Sequence, residues 1–221
     1  MDKHTLEFQE FWNRRQKAFG NTRRSVLFKN LPENVNNALH RSHVQFIIDN
    51  LPEDSKSLLD VGCGYGRLTQ EIHKIRENIK LNGIELCEGF AKKFNDDFGP
   101  CFHGSMLEYE STESFDAILF VTVLMYAERK EVGRVIQKFW EKLNPEGVLI
   151  CIEPCLNFII MFKRIIEGNQ ADVLYLNKDE LFKLFQNQPR AKALSAIKSF
   201  GILPLINWPI LHYGFVFKKE G

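Results

Sequence analysis

The chain opens with apolar positions set among charges at helical intervals. Leu6, Phe8, Phe11 and Trp12 recur near the helical period and predict a first helix. A turn-like stretch, Asn30-Leu31-Pro32-Glu33-Asn34, interrupts it. A second helix is predicted from about Asn37 to Asn50, with Val44, Phe46, Ile47 and Ile48 facing inward and Pro52 as the stop. From Ser57 the texture changes. Ser57-Leu58-Leu59-Asp60-Val61 is a short apolar run ending in a glycine-rich turn, the pattern of a strand buried on both faces. A helix from Leu68 to about Arg76, a strand from Leu81 to Leu86 and a helix to about Phe98 follow. Cys101-Phe102-His103 reads as a third strand and Asp116 to Val121 as a fourth. A helix from Lys130 to Leu143 ends at the turn Asn144-Pro145-Glu146-Gly147, before a fifth strand from Val148 to Ile152. Strands alternating with helices predict an α/β fold with a parallel sheet covered on both faces. The tail differs. A short helix from Asp179 to Gln186 precedes two strand-like stretches, Ala193–Leu203 and His212–Phe217, joined by a Pro-punctuated apolar loop, which reads as an antiparallel hairpin.

Composition narrows the classes. Among 221 residues, 29 Lys and Arg face 28 Asp and Glu, and 44% are apolar. With 19 Phe there is ample surface to bury, which excludes a disordered chain. The near-neutral balance argues against a nucleic-acid partner, because neutralising phosphates needs an excess of Lys and Arg. No run approaches the roughly 20 apolar residues of a membrane-spanning helix. Met1-Asp2-Lys3-His4 carries no apolar signal segment. Five cysteines without a CxxC pair argue against structural disulfides and a zinc site, so no metal is expected and a reducing cytoplasm is.

The informative segment is Leu58-Leu59-Asp60-Val61-Gly62-Cys63-Gly64-Tyr65-Gly66. Glycines between a strand and a helix let the backbone turn sharply and let a ligand approach the main chain. Glu85 closes the second strand, where an acid accepts hydrogen bonds from two ribose hydroxyls. Together they predict a nucleoside-bearing ligand above the carboxyl ends of the strands. The dinucleotide fingerprint would put its third glycine at Arg67, and the Gly-Lys-Ser/Thr of a P-loop is absent. Asp60 would repel a pyrophosphate and suits a cationic ligand.

Asp60-x-Gly62-x-Gly64-x-Gly66 resembles motif I of the class I S-adenosylmethionine-dependent methyltransferases. The resemblance covers about residues 57–153. Glu85, with Leu86 beside it, is similar to that family's ribose-binding acid. Phe102-His103-Gly104-Ser105-Met106 resembles its adenine-contacting segment, although the family often has Asp where Ser105 stands. Phe115 to Phe120 resembles its fourth strand, with Val121 and Thr122 at the site mouth, and Leu143-Asn144-Pro145-Glu146-Gly147 its Leu-x-Pro-x-Gly turn. The resemblance implies a Rossmann-like seven-stranded sheet of order 3-2-1-4-5-7-6 with strand 7 antiparallel. It implies a helical cap over residues 1–50 and a methyltransferase domain over 51–221, the two forming one globular unit. It also implies S-adenosyl-L-methionine as cofactor and S-adenosyl-L-homocysteine as product. Arg41, before the core, is the expected partner of the cofactor's methionine carboxylate.

The acceptor is less marked. The Asn/Asp-Pro-Pro-Tyr/Phe box of amino-directed enzymes is replaced by Val121-Thr122-Val123-Leu124, and no Asp ends the fourth strand as in metal-dependent catechol-type enzymes. Cys155 lacks the motif of a cytosine-C5 nucleophile. What remains is methylation of a small molecule, on oxygen, with an RNA or protein acceptor or a non-catalytic binding homologue as alternatives. A hydroxyl acceptor needs a general base. Tyr126, Glu153 and His103 are the candidates, each with a packing role as its alternative; Asp172 and Tyr175 are further ones. Arg14, Arg15, Arg23 and Arg24 are candidates for an anionic acceptor or a solvated face. Trp12 and Phe11 either wall the pocket or seat the first helix. Asn157 to Phe162 and Ile202 to Leu211 are apolar enough for a lipophilic acceptor, a homodimer interface or a membrane surface. A monomer or a homodimer is expected.

Overall fold

Leu58, Leu59 and Val61 are all buried, so the first strand is covered on both sides, as a central parallel strand must be. The computed structural model describes residues 2–155, 176–195, 198–200 and 212–221, those of 198–200 in backbone only. Its strands are β1 (Ser57–Val61), β2 (Lys80–Glu85), β3 (Cys101–His103), β4 (Phe115–Val121), β5 (Leu143–Pro154), β6 (Ala191–Ala193), β7 (Lys198–Phe200) and β8 (His212–Lys219). They form one sheet in the order β3-β2-β1-β4-β5-β8-β6, with β7 also on β8. β1 to β5 run parallel, and β8 is antiparallel to β5. β6 meets Phe217 to Lys219 and β7 meets His212 to Gly214, on the edge of β8 away from β5. The expected sixth strand is therefore present in two pieces, and the 3-2-1-4-5-7-6 order holds. The loop expected over Pro204 to Pro209 lies outside the described residues.

Side-chain alternation along the strands splits the core in two. Leu59, Ile118, Leu149 and Phe217 pack beneath α6 (Arg129–Glu141) and α7 (Lys178–Gln186). On α6, Val132, Val135, Ile136 and Phe139 are fully covered and make the apolar stripe of an amphipathic helix. Leu58, Leu119, Ile150 and Val216 pack on the other face, against Phe46 and Ile47 of α3 (Glu33–Asn50) and Ile72 of α4 (Thr69–Ile75). α3 starts earlier than expected, with Pro32 at its N-cap, and it is a layer of the sheet rather than part of a separate cap. The expected boundary at residue 50 thus divides elements that share one core. α5 (Glu88–Asp97) packs on β2 and β3. α1 (Lys3–Phe19) and α2 (Arg23–Val26) remain outside those two core clusters.

The Asn144–Gly147 turn proves to be a bulge within β5 rather than a linker before it. Leu143 already pairs with Phe115, and the register then jumps to Val148 opposite Ala117. Asp116 fixes the bulge: its Oδ1 accepts from Asn144 Nδ2 at 2.7 Å, and its Oδ2 accepts from the Lys56 and Ser57 amides.

Candidate functional site

The carboxyl ends of β1, β2 and β4 open into a cavity of about 390 Å³, at the crevice where open α/β sheets bind ligands. Its floor is the turn between β1 and α4. The amides of Gly62 and Cys63 both donate to the Ile84 carbonyl, at 2.8 and 3.1 Å, which folds the loop back over β2. Gly62 has φ +73°, and a Cβ there would lie 2.5 Å from Val123 Cγ2. Only glycine allows that turn beside the cavity. Gly66, at φ +86°, makes room for the Phe98 ring, which a Cβ would meet at 2.2 Å.

Two buried carboxylates face this loop. Glu85 Oε2 accepts from the Gly64 amide at 2.8 Å and Oε1 from the Cys87 amide at 2.7 Å. The Leu86 amide also bears on this carboxyl, and the residue lines the cavity. Burial outweighs these bonds and pushes the carboxyl up to about 7. Asp60 Oδ2 accepts from Thr69 Oγ1 at 2.8 Å. Burial raises its carboxyl to about 6, against the opposing pull of Thr69 and Arg67. Leu86, Ser105, Met106 and Val121 complete the wall, and Ser105 Oγ accepts from the Leu107 amide at 3.2 Å.

Residues 58–147, which carry this loop and acid, match the family model described as a methyltransferase domain. Carboxy-S-adenosyl-L-methionine synthase of Wolinella succinogenes is 26% identical over 146 residues, 61% of this chain and 58% of that protein. The mitochondrial ubiquinone biosynthesis O-methyltransferase of Saccharomyces cerevisiae is 26% identical over 200 residues, 80% of this chain and 63% of that protein. The chain thus spans about three fifths of the length of these relatives. Geranyl diphosphate C-methyltransferase from Streptomyces coelicolor A3(2), solved with S-adenosyl-L-homocysteine, shares the fold. Its TM-score is 0.70 at 14% identity, over 99% of this chain and 98% of that one. Over residues 58–147 the chain is thus similar to methyltransferases, and as a whole it shares the fold of methyltransferases solved with S-adenosyl-L-homocysteine.

In this methyltransferase fold the mouth of the cavity is aromatic. Phe8 and Trp12 of α1 meet Tyr126 edge-on at 5.0 and 5.4 Å, and all three line the cavity. Tyr126 is positioned by the 3₁₀ turn Leu124–Tyr126. α1 starts on an Asp2 cap that accepts from the Thr5 amide at 2.8 Å. Gln9 Nε2 then pins α1 to the Leu86 carbonyl at 3.2 Å. Trp12 therefore walls the pocket, while Phe11 stacks edge-on against it.

The structure brings Asp60, Gly62, Gly64, Glu85, Leu86, Ser105, Met106, Val121 and Tyr126 to one cavity, and leaves four expected residues outside its lining. Gly66 stands behind the loop against Phe98. Arg41 lies on the solvent side of α3, one residue out of register with the buried stripe Leu39, His43, Phe46 and Ile47. His103 is exposed on the edge strand β3, where its Nε2 lies 3.4 Å from Gln9 Nε2. Glu153 turns away from the cavity; its Oε1 accepts from the Val123 and Leu124 amides at 2.7 and 2.8 Å and so holds the turn that presents Tyr126. Of the N-terminal arginines, Arg15 donates to the Arg24 and Leu27 carbonyls, Arg23 to Asn37 and Arg24 to the Lys29 carbonyl, so they bind α1, α2 and α3 together. Arg14 pairs with Glu10. Asn157–Phe162, Asp172, Tyr175 and Ile202–Leu211 lie outside the described residues. Sequence reasoning missed His4 at the mouth and Arg67 at the floor. The signal for Arg67 was its place directly after the last loop glycine.

Proposed function

We propose that this protein transfers a methyl group from S-adenosylmethionine to a small molecule, on oxygen. One observation carries the reading: bare main chain at Gly62 and Gly64 and the carboxylates of Asp60 and Glu85 converge on one cavity. Its volume of about 390 Å³ is in the range of small-ligand sites. The donor set fits a nucleoside with a cationic end. Glu85 would hold the ribose hydroxyls and Asp60 the positive end, while Ser105 and Met106 would border the base. When bound, the cofactor supplies a methyl group activated on a sulfonium for direct displacement.

The chain's own part is to hold, orient and exclude water. Such positioning is worth up to about 7–11 kcal/mol in well-aligned cases. The Phe8, Trp12 and Tyr126 roof supports both exclusion of water and a lipophilic acceptor, and Lys130 and Arg134 at the same cavity support an anionic group on it. Tyr126, of the bases nominated from the sequence, is the one that lines the cavity, which supports it as the group that takes a proton from an acceptor hydroxyl. Transfer to oxygen is supported by the yeast O-methyltransferase relative, whose match covers 80% of this chain. The internal bonding of Arg15, Arg23 and Arg24 speaks against a nucleic-acid acceptor. Five free thiols are consistent with a reducing cytoplasm.

Calorimetric titration with S-adenosylhomocysteine tests the reading. Wild type is expected to bind, and a folded Glu85→Ala variant to bind about tenfold or more weakly, a loss of about 1.4 kcal/mol. A folded wild type that does not bind would refute it.

A further inference from the structure

Two of the five cysteines meet behind the glycine loop. Cys63 Sγ and Cys101 Sγ are 3.7 Å apart. They belong to elements that β2 separates: Cys63 follows β1, and Cys101 opens β3. Gly83 of β2 lets them meet. It pairs with Asp60 on one side and with Cys101 on the other. A Cβ on Gly83 would lie 2.7 Å from Cys63 Sγ, so the missing side chain is the space through which that sulfur reaches β3. The Cys63 amide, bonded to the Ile84 carbonyl at 3.1 Å, keeps the loop folded over this gap. The remaining cysteines, Cys87, Cys151 and Cys155, are fully buried.

The two thiols are not equivalent. Cys101 is partly open to solvent on the edge strand β3, whereas Cys63 is 5% exposed and lines the cavity. Burial, then Cys101 and the carboxylates of Asp60 and Glu85, push the Cys63 thiol well above its ordinary range. Cys101 is therefore the thiol that a reagent in solvent meets first. Cys63 is tied to the loop. Its thiol donates to the Gly64 carbonyl at 3.5 Å, and the Gly64 amide donates to Glu85 Oε2 at 2.8 Å. A disulfide bond is about 2.0 Å long, so the two sulfurs must close by about 1.7 Å to form one. That movement takes the Cys63 sulfur off the Gly64 carbonyl and pulls on the stretch between Gly62 and Gly64.

We propose that Cys63 and Cys101 are a redox pair that closes to a reversible disulfide, with a small-molecule disulfide as oxidant, and that closure weakens ligand binding on the glycine loop. The chemistry is two exchanges. The Cys101 thiolate attacks one sulfur of the oxidant, whose S–S bond breaks and releases one thiolate. Cys63, its proton given up to water, then attacks Cys101 Sγ and expels the second thiolate. Two protein thiols are oxidised, one small disulfide is reduced to two thiols, and the two protons end on those thiols. In a reducing compartment the pair rests as thiols, and a rise in disulfide closes it. The disulfide stands on the geometry alone; its effect on binding rests on the cofactor reading above.

Oxidised glutathione is the probe. The full chain is incubated with it, the free thiols are alkylated, and digested peptides are weighed. Wild type is expected to yield a peptide linked through Cys63 and Cys101, and dithiothreitol to remove it. Calorimetry with S-adenosylhomocysteine follows, on protein that remains folded by circular dichroism. Oxidised wild type is expected to bind about tenfold more weakly than reduced, a loss of about 1.4 kcal/mol. Cys101→Ser is expected to bind as reduced wild type does, before and after the oxidant. Cys101→Ala serves in its place should the serine variant not fold. A wild type that forms no linked peptide, or stops at glutathione on Cys101, overturns the redox pair. A linked protein that binds as tightly as the reduced one overturns the coupling to the loop. Reduced wild type that does not bind at all overturns the cofactor reading, and the linked peptide still decides the redox pair.

Discussion

Replacing Glu153 by Gln should stabilise the protein at alkaline pH and leave it nearly unchanged in acid. Glu153 is 2% exposed. Its Oε1 takes the Val123 and Leu124 amides, and its Oε2 hydrogen-bonds nothing among the described residues. Burial dominates over the amides and lifts the carboxyl from 4.5 to about 7. The consequence for stability has a definite sign. Below about pH 4.5 both folded and unfolded chains hold the proton. Between about 4.5 and 7 the folded chain holds a proton that the unfolded chain has released, so stability falls as pH rises. Above about 7 the loss is complete. At about 1.4 kcal/mol per pH unit, that window is worth about 3 kcal/mol. Glutamine has the shape of the protonated acid, keeps an oxygen for both amides and does not titrate. The slopes contributed by Asp60, Glu85 and the buried histidines are common to both proteins and cancel in the comparison. Urea unfolding at pH 5 and pH 8 measures the difference. The two proteins should agree within about 1 kcal/mol at pH 5, with the Gln variant ahead by up to about 3 kcal/mol at pH 8. A difference that does not change with pH would refute this account of Glu153.

The same burial at Glu85 makes ligand binding pH-dependent. With its carboxyl near 7, Kd for S-adenosylhomocysteine should rise by about tenfold between pH 8 and pH 6, as the acceptor of the ribose hydroxyls is protonated. Glu85→Gln should bind more weakly and lose most of that slope, and a wild-type Kd that is flat over this range would exclude the role. Gly66→Ala forces φ +86° on a residue with a Cβ that meets Phe98 at 2.2 Å. It should lower unfolding free energy by about 2–4 kcal/mol in urea, and Phe98→Ala in the same chain should recover the part that is steric.

The halves of the site differ in how far the sequence exposes them, and the reason is range. Leu58 to Val61 and Ile118 to Val121 read as strands because burial on both faces leaves an uninterrupted apolar run. The loop glycines and Glu85 are legible for a similar reason: the ends of two adjacent strands are set by local pattern, and the 2.8 Å bond from Gly64 to Glu85 follows from pairing them. Bulges leave weaker marks. Asn144–Gly147 has turn composition, yet its ends pair within one ladder because Asp116 reaches across to them. Residue type misleads most where a side chain's side of its element decides its role. Arg41 and Arg67 are both arginines near the core. The offset of Arg41 from the stripe of α3 turns it outward, whereas Arg67 is drawn in by His40, a residue on the opposite side of β1 in sequence. Glu153, an acid at a strand end like Glu85, receives the amides of the β4 turn instead of a ligand. The aromatic mouth of the cavity is assembled from α1 and the turn after β4, which meet in the contacts of Phe8 and Trp12 with Tyr126. No local pattern encodes such contacts. The glycine loop and its acid can therefore be read from consecutive residues, whereas the aromatic mouth must be read from the packing of distant ones.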